Sequence, residues 1–130
     1  MSQTVPYGAV IYAKDYRALA GFYERVAGLT QRDADQEHVL LEAPSFQLVI
    51  LQIPERIAAN ITIEKPPRKR ENTPIKLFLN VRSIENARQT AKALGGEMNG
   101  PEKEWKFHGV RRCDGIDPEG NVFQLQEVPE

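Results

Sequence analysis

The stretch of sequence that decides the fold is Asp117-Pro118-Glu119-Gly120-Asn121-Val122-Phe123-Gln124-Leu125-Gln126-Glu127, close to the end of the chain. Residues 117–120 place Asp, Pro and Gly at the first, second and fourth positions of a type I turn. The glycine can take the left-handed conformation of a hairpin closed by a bulge. Apolar and polar residues then alternate over 123–126, which predicts a strand with one face on a core. The polar face carries Gln124, and the surroundings of that face bear on function.

The composition sets broad limits on the class of protein. A chain of 130 residues is long enough for one domain with a sizeable core. The formal net charge of -1 gives no general attraction to nucleic acid or to an anionic membrane, and neither is predicted as a partner. The single cysteine, Cys113, cannot form an intrachain disulfide. No signal-peptide pattern or long apolar run is present, so we expect a cytoplasmic protein.

The first half of the chain has the element pattern β-α-β-β. Asp15 is a candidate N-cap for a helix over 16–26, where apolar residues recur at helical spacing. Gly28 is a candidate stop for that helix. The predicted strands are 8–13, 38–42 and 46–52, with room for one more short strand near 30–33.

The same order of elements recurs in the second half. The segment 8–28 overlays 76–96 at a constant offset of 68 residues (76 minus 8), so that Asp15 falls on Ser83, a second N-cap candidate. The predicted elements are a strand over 76–81, a helix over 84–94 stopped by Gly95-Gly96, and strands around 107–113 and after the Asp117 turn. Near the ends of the two halves the offset is 75, which implies an insertion of about 7 residues (75 minus 68) in the second half.

These patterns predict an α+β fold in which two tandem β-α-β-β-β modules form curved mixed sheets within one domain. The predicted limits are about 5–54 for module one, 55–74 for a linker or flap, and 75–130 for module two. The flap contains the Pro-rich basic run 66–71, which we interpret as exposed chain rather than a nucleic-acid patch. Within it, residues 61–63 are a candidate short edge strand.

Paired modules with this turn resemble the vicinal oxygen chelate superfamily, which includes glyoxalase I, extradiol dioxygenases, fosfomycin-resistance enzymes and bleomycin-binding proteins. The matching motifs are the turn 117–121, Asp15 with the Phe22-Tyr23 pair, and the run 108–111, which is similar to the Trp-Gly-x-Arg run common before that turn. The resemblance implies a glyoxalase/bleomycin-resistance-like fold, in which two cup-shaped modules enclose the cavity. It also implies a homodimer, as in many members with two modules in one chain.

The resemblance also locates the positions where the metal enzymes of the superfamily carry their ligands. These are the start of the first strand of each module, usually His, and the last strand of each module, usually Glu. The corresponding residues here are Gly8, Val49, Lys76 and Gln124. None is a good divalent-metal ligand, and a register slip of one residue would bring in Gln52 and Glu127 but no histidine. No metal site and no cofactor are therefore predicted, with a divalent metal held by other residues as the alternative.

The strand period of two predicts which side chains share a face with these positions. The lining combines aromatic and aliphatic walls with amides and one cation, which suits a small organic ligand with an apolar body. The candidate ligand-binding residues, including two from the loop and strand before the turn, are Tyr12, Lys76, Phe78, Asn80, His108, Arg111 and Gln124. No catalytic residue is assigned.

Each charged or polar candidate has a functional and a structural interpretation. Lys76 can pair with a carboxylate or phosphate or act as a base, or it simply reaches solvent at the start of a strand. His108 is a hydrogen-bond donor or general base, or an exposed loop residue. Arg111 and Arg112 are adjacent, so only one can point inward. Arg111 matches the arginine of the family and is the predicted anion-binding residue, or it forms an ion pair at the surface or at a dimer interface. His38 either faces a partner's cup or lies at the surface.

Three functions follow from this sequence. The first is a metal-free protein that binds a small molecule, because binding needs only shape and amides whereas enediolate or dioxygen chemistry needs a Lewis acid. The second is a lyase, isomerase or dioxygenase-type enzyme of the superfamily, using a misaligned metal site or acid-base chemistry through Lys76, His108 and Arg111. The third is an accessory or regulatory subunit whose flap docks another protein.

Overall fold

Two mixed β-sheets, each with an α-helix on one face, make up the protein. The structure is a computed structural model that describes residues 6–129, so the predicted outer module limits, residues 5 and 130, lie outside it. The first sheet contains β1 (Tyr7–Ala13), β2 (Thr30–Ala34), β3 (His38–Ala43) and β4 (Phe46–Gln52). The second contains β5 (Leu77–Val81), β6 (Glu97–Met98), β7 (Trp105–Phe107), β8 (Val110–Ile116) and β9 (Val122–Glu127). The helices are α1 (Tyr16–Ala27), α2 (Glu55–Ala58), α3 (Ile84–Ala93) and the 3-10 turn Pro101–Lys103.

The two sheets have the same topology. The strand order is β1-β4-β3-β2 in the first sheet and β5-β9-β8-β6 in the second, where β7 pairs with β8 beside this path. In each sheet the first strand of the module runs parallel to the last, and the other pairs are antiparallel. The predicted α+β class and the repeated topology are therefore confirmed.

The predicted helix caps are also present. The Asp15 carboxylate accepts a hydrogen bond from the backbone N–H of Ala18 at 3.2 Å, and the Ser83 hydroxyl accepts one from Asn86 at 3.1 Å. The first helix ends at Gly28, whose φ of 68° is left-handed. In the second module the left-handed glycine is Gly95, with φ of 92°.

Two segments differ from the sequence prediction. The region around 107–113 is not one strand but a hairpin of β7 and β8, because His108 (φ 51°) and Gly109 (φ 77°) both take left-handed conformations and reverse the chain. In the flap, residues 61–63 form no strand, whereas 55–58 form one helical turn that begins after Pro54. The carbonyl of Pro54 accepts hydrogen bonds from Ile57 and Ala58 there.

Both modules share one hydrophobic core. Helix α1 contacts β1, β3 and β4 of its own module and also α3 and β5 of the other. Its Phe22 and Tyr23 rings pack edge-to-face on Phe123 of β9, with centroids 5.7 Å apart in each pair. Gly96 allows this approach, because a Cβ at that position would collide with the Phe22 ring. No helix within residues 6–129 is long and apolar enough to cross a membrane.

The Asp117 turn anchors the second module to the first. Asp117 is fully buried, and its Oδ2 accepts a hydrogen bond from Tyr23 Oη of α1 at 2.7 Å. Its Oδ1 accepts from the backbone N–H groups of Glu119 and Asn121. Burial raises the pKa of Asp117, although these hydrogen bonds act in the opposite direction. Burial, reinforced by the charge of Asp117, raises the pKa of Tyr23 well above its usual value.

Glu119, in the same turn, binds the chain just before α1. Its carboxylate accepts the backbone N–H of Lys14 at 2.9 Å and that of Asp15 at 2.8 Å. We expect Glu119→Ala to lower the free energy of unfolding by about 1–3 kcal/mol, because two partly buried amides lose their acceptor. Urea denaturation measures the change.

The control for this experiment is Glu71→Ala, which removes an exposed flap carboxylate that has no partner among residues 6–129. We expect this control to stay within about 0.5 kcal/mol of the wild type. Equal unfolding midpoints for the two variants would show that the turn does not hold the start of α1.

Candidate functional site

Each sheet has one face on the core and one face away from the helices, which we call its open face. On β8 and β9, Cys113, Phe123 and Leu125 are buried in the core. Strand alternation therefore puts the intervening residues on the open face. The strand register places open-face residues of β5, β8 and β9 directly opposite one another. The open-face residues of the second sheet include Phe78, Asn80, Arg112, Asp114, Gln124 and Gln126. This face corresponds to the cavity face predicted from the sequence.

Four side chains on or beside this face form one hydrogen-bonded network. Lys76 Nζ donates to Asp114 Oδ2 at 2.9 Å, and Gln124 Nε2 donates to Asp114 Oδ1 at 3.1 Å. Gln124 Oε1 accepts from Arg112 Nη1 at 2.7 Å. We call this set the Lys76–Arg112 network. It contains two cations and one carboxylate, so it carries a net positive charge.

Aromatic rings surround the arginine of the network. The guanidinium carbon of Arg112 lies 4.9 Å from the ring centroid of Phe78 and 4.9 Å from that of Phe107, both within cation–π range. Trp105 pairs directly with Arg112 across the β7–β8 ladder, so it lies on the same face. The Arg112 Nε atom is the only buried side-chain nitrogen or oxygen without a hydrogen-bond partner within residues 6–129.

The prediction that Arg111 points toward the cavity face is wrong in this structure. Arg111 shares its strand parity with buried Cys113, and its Nη1 lies 3.2 Å from Glu104 Oε1 on the side of the sheet away from the open face. Arg88 also forms an ion pair with the Glu104 carboxylate. Burial acts to raise the pKa of Glu104, but hydrogen bonds and charge interactions with Arg88 and Arg111 outweigh burial, so the pKa of Glu104 is lowered. The open-face arginine is Arg112, because adjacent strand residues point to opposite sides.

The other predicted residues fall into three places. Lys76, Phe78 and Gln124 meet at the network, and Asn80 lies one row away, where its Oδ1 accepts from Gln126. Tyr12 lies on the open face of the first sheet and is 66% exposed. His108 is at the tip of the β7–β8 hairpin, with its ring edge-on to Phe107 at 4.3 Å.

The positions that carry metal ligands in the resembled enzymes do not form a ligand set here. A side chain at Gly8 would collide with the carbonyl oxygen of Gln47, and Val49 offers no donor atom. Lys76 is a cation, and both ends of the Gln124 amide are already hydrogen-bonded. No group of three or more His, Cys, Asp or Glu side chains with metal-binding geometry occurs between residues 6 and 129. The residues present do not fit the metal that the superfamily uses.

A histidine between two carboxylates occupies the open face of the first sheet. His38 lies opposite Leu51, which is also opposite Tyr12, so the three share that face. Its Nδ1 lies 2.8 Å from Asp35 Oδ1 and its Nε2 lies 3.2 Å from Asp33 Oδ2. Desolvation acts to lower the His38 pKa, but hydrogen bonds and charges from Asp35 and Asp33 outweigh it and raise the pKa.

Exposed apolar side chains concentrate on the open faces. Five of the eight exposed large hydrophobic residues within 6–129 lie there, and they are Val10, Tyr12, Phe78, Trp105 and Phe107. Two of them lie on the first sheet and three on the second, so each open face carries a small group of exposed apolar side chains.

A cavity of about 1000 Å³ lies elsewhere, between the flap, the start of α1 and the end of α3. It contains none of the predicted ligand-binding residues. Its lining has three lysines and three carboxylates, so it carries no net charge. Two of those carboxylates, on Asp15 and Glu119, already accept backbone N–H groups. The chemistry of the open faces therefore defines the candidate site better than cavity size does.

Two β-α-β-β-β modules with a common helical core and outward open faces define a protein of vicinal oxygen chelate architecture. The sequence model of the glyoxalase-like domain family matches residues 8–126, and the chain belongs to that family. No curated protein sequence matches the chain.

Solved structures of the superfamily share the fold at low sequence identity. A glyoxalase/bleomycin resistance protein/dioxygenase family enzyme from Burkholderia phytofirmans PsJN has a TM-score of 0.66 and 16% identity, over 93% of this chain and 96% of that one. A bleomycin-binding protein solved with bleomycin has a TM-score of 0.60 and 16% identity, over 96% and 99%. The fosfomycin resistance protein FosX from Mesorhizobium loti has a TM-score of 0.62 and 12% identity, over 98% and 94%.

The His38 environment predicts a pH dependence of stability. A raised pKa in the folded state means that the folded protein binds the His38 proton more tightly than the unfolded chain, whose histidine has a pKa of about 6.5. The stabilisation is therefore complete below about pH 6.5 and is lost as pH rises through the folded-state pKa. We expect His38→Gln to reduce the free energy of unfolding more at pH 6 than at pH 8.5, as measured by urea denaturation.

The matched control for this prediction is Asp33→Asn with Asp35→Asn, which keeps the histidine but removes both charges. In that double variant the histidine pKa, followed by NMR, should fall. An equal effect of His38→Gln at both pH values would contradict the prediction.

Proposed function

We propose that this protein is a cytoplasmic homodimer that binds a small organic molecule at its open faces without the metal that the superfamily commonly uses. The observation that carries the proposal is the Lys76–Arg112 network between Phe78 and Phe107. It combines directed polar groups with apolar walls, which is the usual composition of a small-molecule site.

The hydrogen bonds of the network support a binding site that is already formed in the absence of ligand. Gln124 is 7% exposed and bridges Asp114 to Arg112, so these side chains are held in place before any ligand arrives. Ordered polar groups lose little side-chain entropy on binding, and this loss is one of the main costs of association. The bleomycin-binding relative gives a precedent for binding of a small molecule on this fold, at low identity.

The exposed apolar residues support a dimer. An isolated chain would leave Val10, Tyr12 and Phe78 more than half exposed on its open faces. A second copy that covered these faces would remove apolar surface from water and would enclose the network in a cup. Enclosure would also strengthen the polar contacts with a ligand, since water would be displaced from around them.

The enzyme interpretation has less support. Acid-base catalysis by Lys76, His108 and Arg111 acting together requires one shared face, whereas Arg111 interacts with Glu104 on the other side of β8. Metal-dependent catalysis requires a ligand set that Gly8, Val49, Lys76 and Gln124 do not supply. The flap-docking interpretation has less support, since the flap is bound to its own chain where Arg70 N donates to Gly120 O.

A thermal-shift screen tests the binding proposal. A ligand that binds only the folded state raises its stability by RT ln(1 + [L]/Kd), about 2.7 kcal/mol at one hundred times Kd. We expect small aromatic acids and amides to raise the melting temperature equally with and without EDTA. Phe78→Ala should abolish most of that shift, whereas Ile57→Ala, which removes an exposed side chain outside the open faces, should not.

Metal analysis completes this test. Stoichiometric Ni, Zn, Fe or Mn in protein purified without chelator would overturn the metal-free proposal. Absence of any ligand-induced shift across the screen would overturn the binding proposal itself.

The dimer makes a separate prediction. We expect sedimentation velocity to show a dimer in solution and Val10→Asp to shift it toward monomer, because a charge would be buried in an apolar interface. Ile57→Asp is the control and should leave the dimer intact, since Ile57 is on α2 and away from the open faces. A monomeric wild type at tens of micromolar would contradict the prediction.

A further inference from the structure

We infer that the ligand of the second sheet's open face is an organic carboxylate with a planar apolar body, and that Arg112 binds its carboxylate group. The inference rests on the proposed binding function and specifies its ligand class. Its starting point is Arg112, the arginine of β8 that has a buried nitrogen without a hydrogen-bond partner among residues 6–129.

Arg112 has an unfilled pair of donors. Its Nη1 donates to Gln124, but Nε is buried without an acceptor, and no residue within 6–129 accepts from Nη2. Nε and Nη2 lie on one edge of the planar guanidinium, the edge that binds a carboxylate through two parallel hydrogen bonds. A buried donor without an acceptor is unfavourable. A ligand carboxylate at this edge would supply both acceptors.

Arg112 also lacks a counterion. The neighbouring Arg111 lies beside Glu104 and Glu127, and Arg88 pairs with Glu104. The nearest carboxylate in the network, on Asp114, uses one oxygen for Lys76 and the other for Gln124. Among residues 6–129, no carboxylate forms an ion pair with Arg112. The network therefore keeps a positive charge that an anion would neutralise.

The aromatic side chains around Arg112 favour an anion whose carboxylate is attached to a planar apolar group. Phe78 and Phe107 cover the guanidinium, and Trp105 is next to Arg112 on the same face, so the cation is set within flat apolar surfaces. A planar ring attached to the carboxylate would continue this stacking and bury apolar area against the phenyl groups. A compact inorganic anion would make the charged contact but leave the rings exposed.

Titration calorimetry with matched ligand pairs tests the inference. The probes are benzoate, cinnamate and indole-3-acetate, each compared with its neutral amide and with phenyl phosphate. We expect at least one acid to bind the wild type about tenfold or more tightly than its amide, because hydrogen bonds to charged groups contribute more than neutral ones. Raising the salt concentration should weaken binding of the acid and not of the amide.

Variants at neighbouring positions locate the effect. Arg112→Gln should weaken acid binding by about tenfold or more and leave amide binding within about twofold, and Arg112→Lys should fall between it and the wild type. Arg111→Gln, which removes the adjacent cation on the other face, should bind the acid like the wild type. Circular dichroism checks folding, and if Arg112→Gln does not fold, Arg112→Lys and the salt series carry the test.

The outcomes separate this inference from the proposed function. If the acids and amides bind equally and Phe78→Ala weakens both, the small-molecule site stands and the anion assignment is overturned. If phenyl phosphate binds more tightly than every carboxylate, the site takes an anion but the carboxylate class is wrong. If no probe binds and no compound shifts the melting temperature, the proposed function falls with the inference.

Discussion

The hydrogen bond between Tyr23 and Asp117 is the constraint on which the rest of the structure depends. Both groups are buried, and the bond joins the helix of one module to the turn of the other. The same carboxylate holds the turn amides of Glu119 and Asn121, so the turn has one conformation when the core is formed. Because the turn leads directly into β9, it also sets which residues of that strand face the core. Gln124 reaches the open face for this reason.

A shared core has a consequence for the surfaces. Helices α1 and α3 pack together, and the aromatic cluster of Phe22, Tyr23 and Phe123 lies between the modules. One face of each sheet is therefore buried in the shared core. The opposite faces cannot meet each other across that core. Their apolar residues, such as Val10 and Phe78, stay exposed in a single chain. The way the modules are joined thus leaves two separate open faces, one on each sheet.

Local sequence patterns were sufficient for most of the fold but for only part of the site. Caps at Asp15 and Ser83 and the alternation in the strands have short-range causes, and the sequence prediction found them. The choice between Arg111 and Arg112 depends on the parity of β8, which the family motif does not reveal. Burial of Cys113, expected from its small apolar character, was the signal that could have put Arg112 on the open face. The left-handed turn at His108 had a local signal in the glycine that follows it, which the sequence prediction did not use.

Within residues 6–129, Gln124 accounts both for the lack of a metal ligand at its position and for the charge of Arg112, which no carboxylate pairs with. A glutamate at this position would accept the Arg112 hydrogen bond as an ion and neutralise the guanidinium, but its charge would also repel Asp114 across the strand pair. The neutral amide accepts from Arg112 and donates to Asp114 at once. Because the amide carries no charge, the arginine is oriented without being neutralised. Gln124, which is a poor metal ligand, is therefore also the residue that leaves the Arg112 guanidinium charged on the same face.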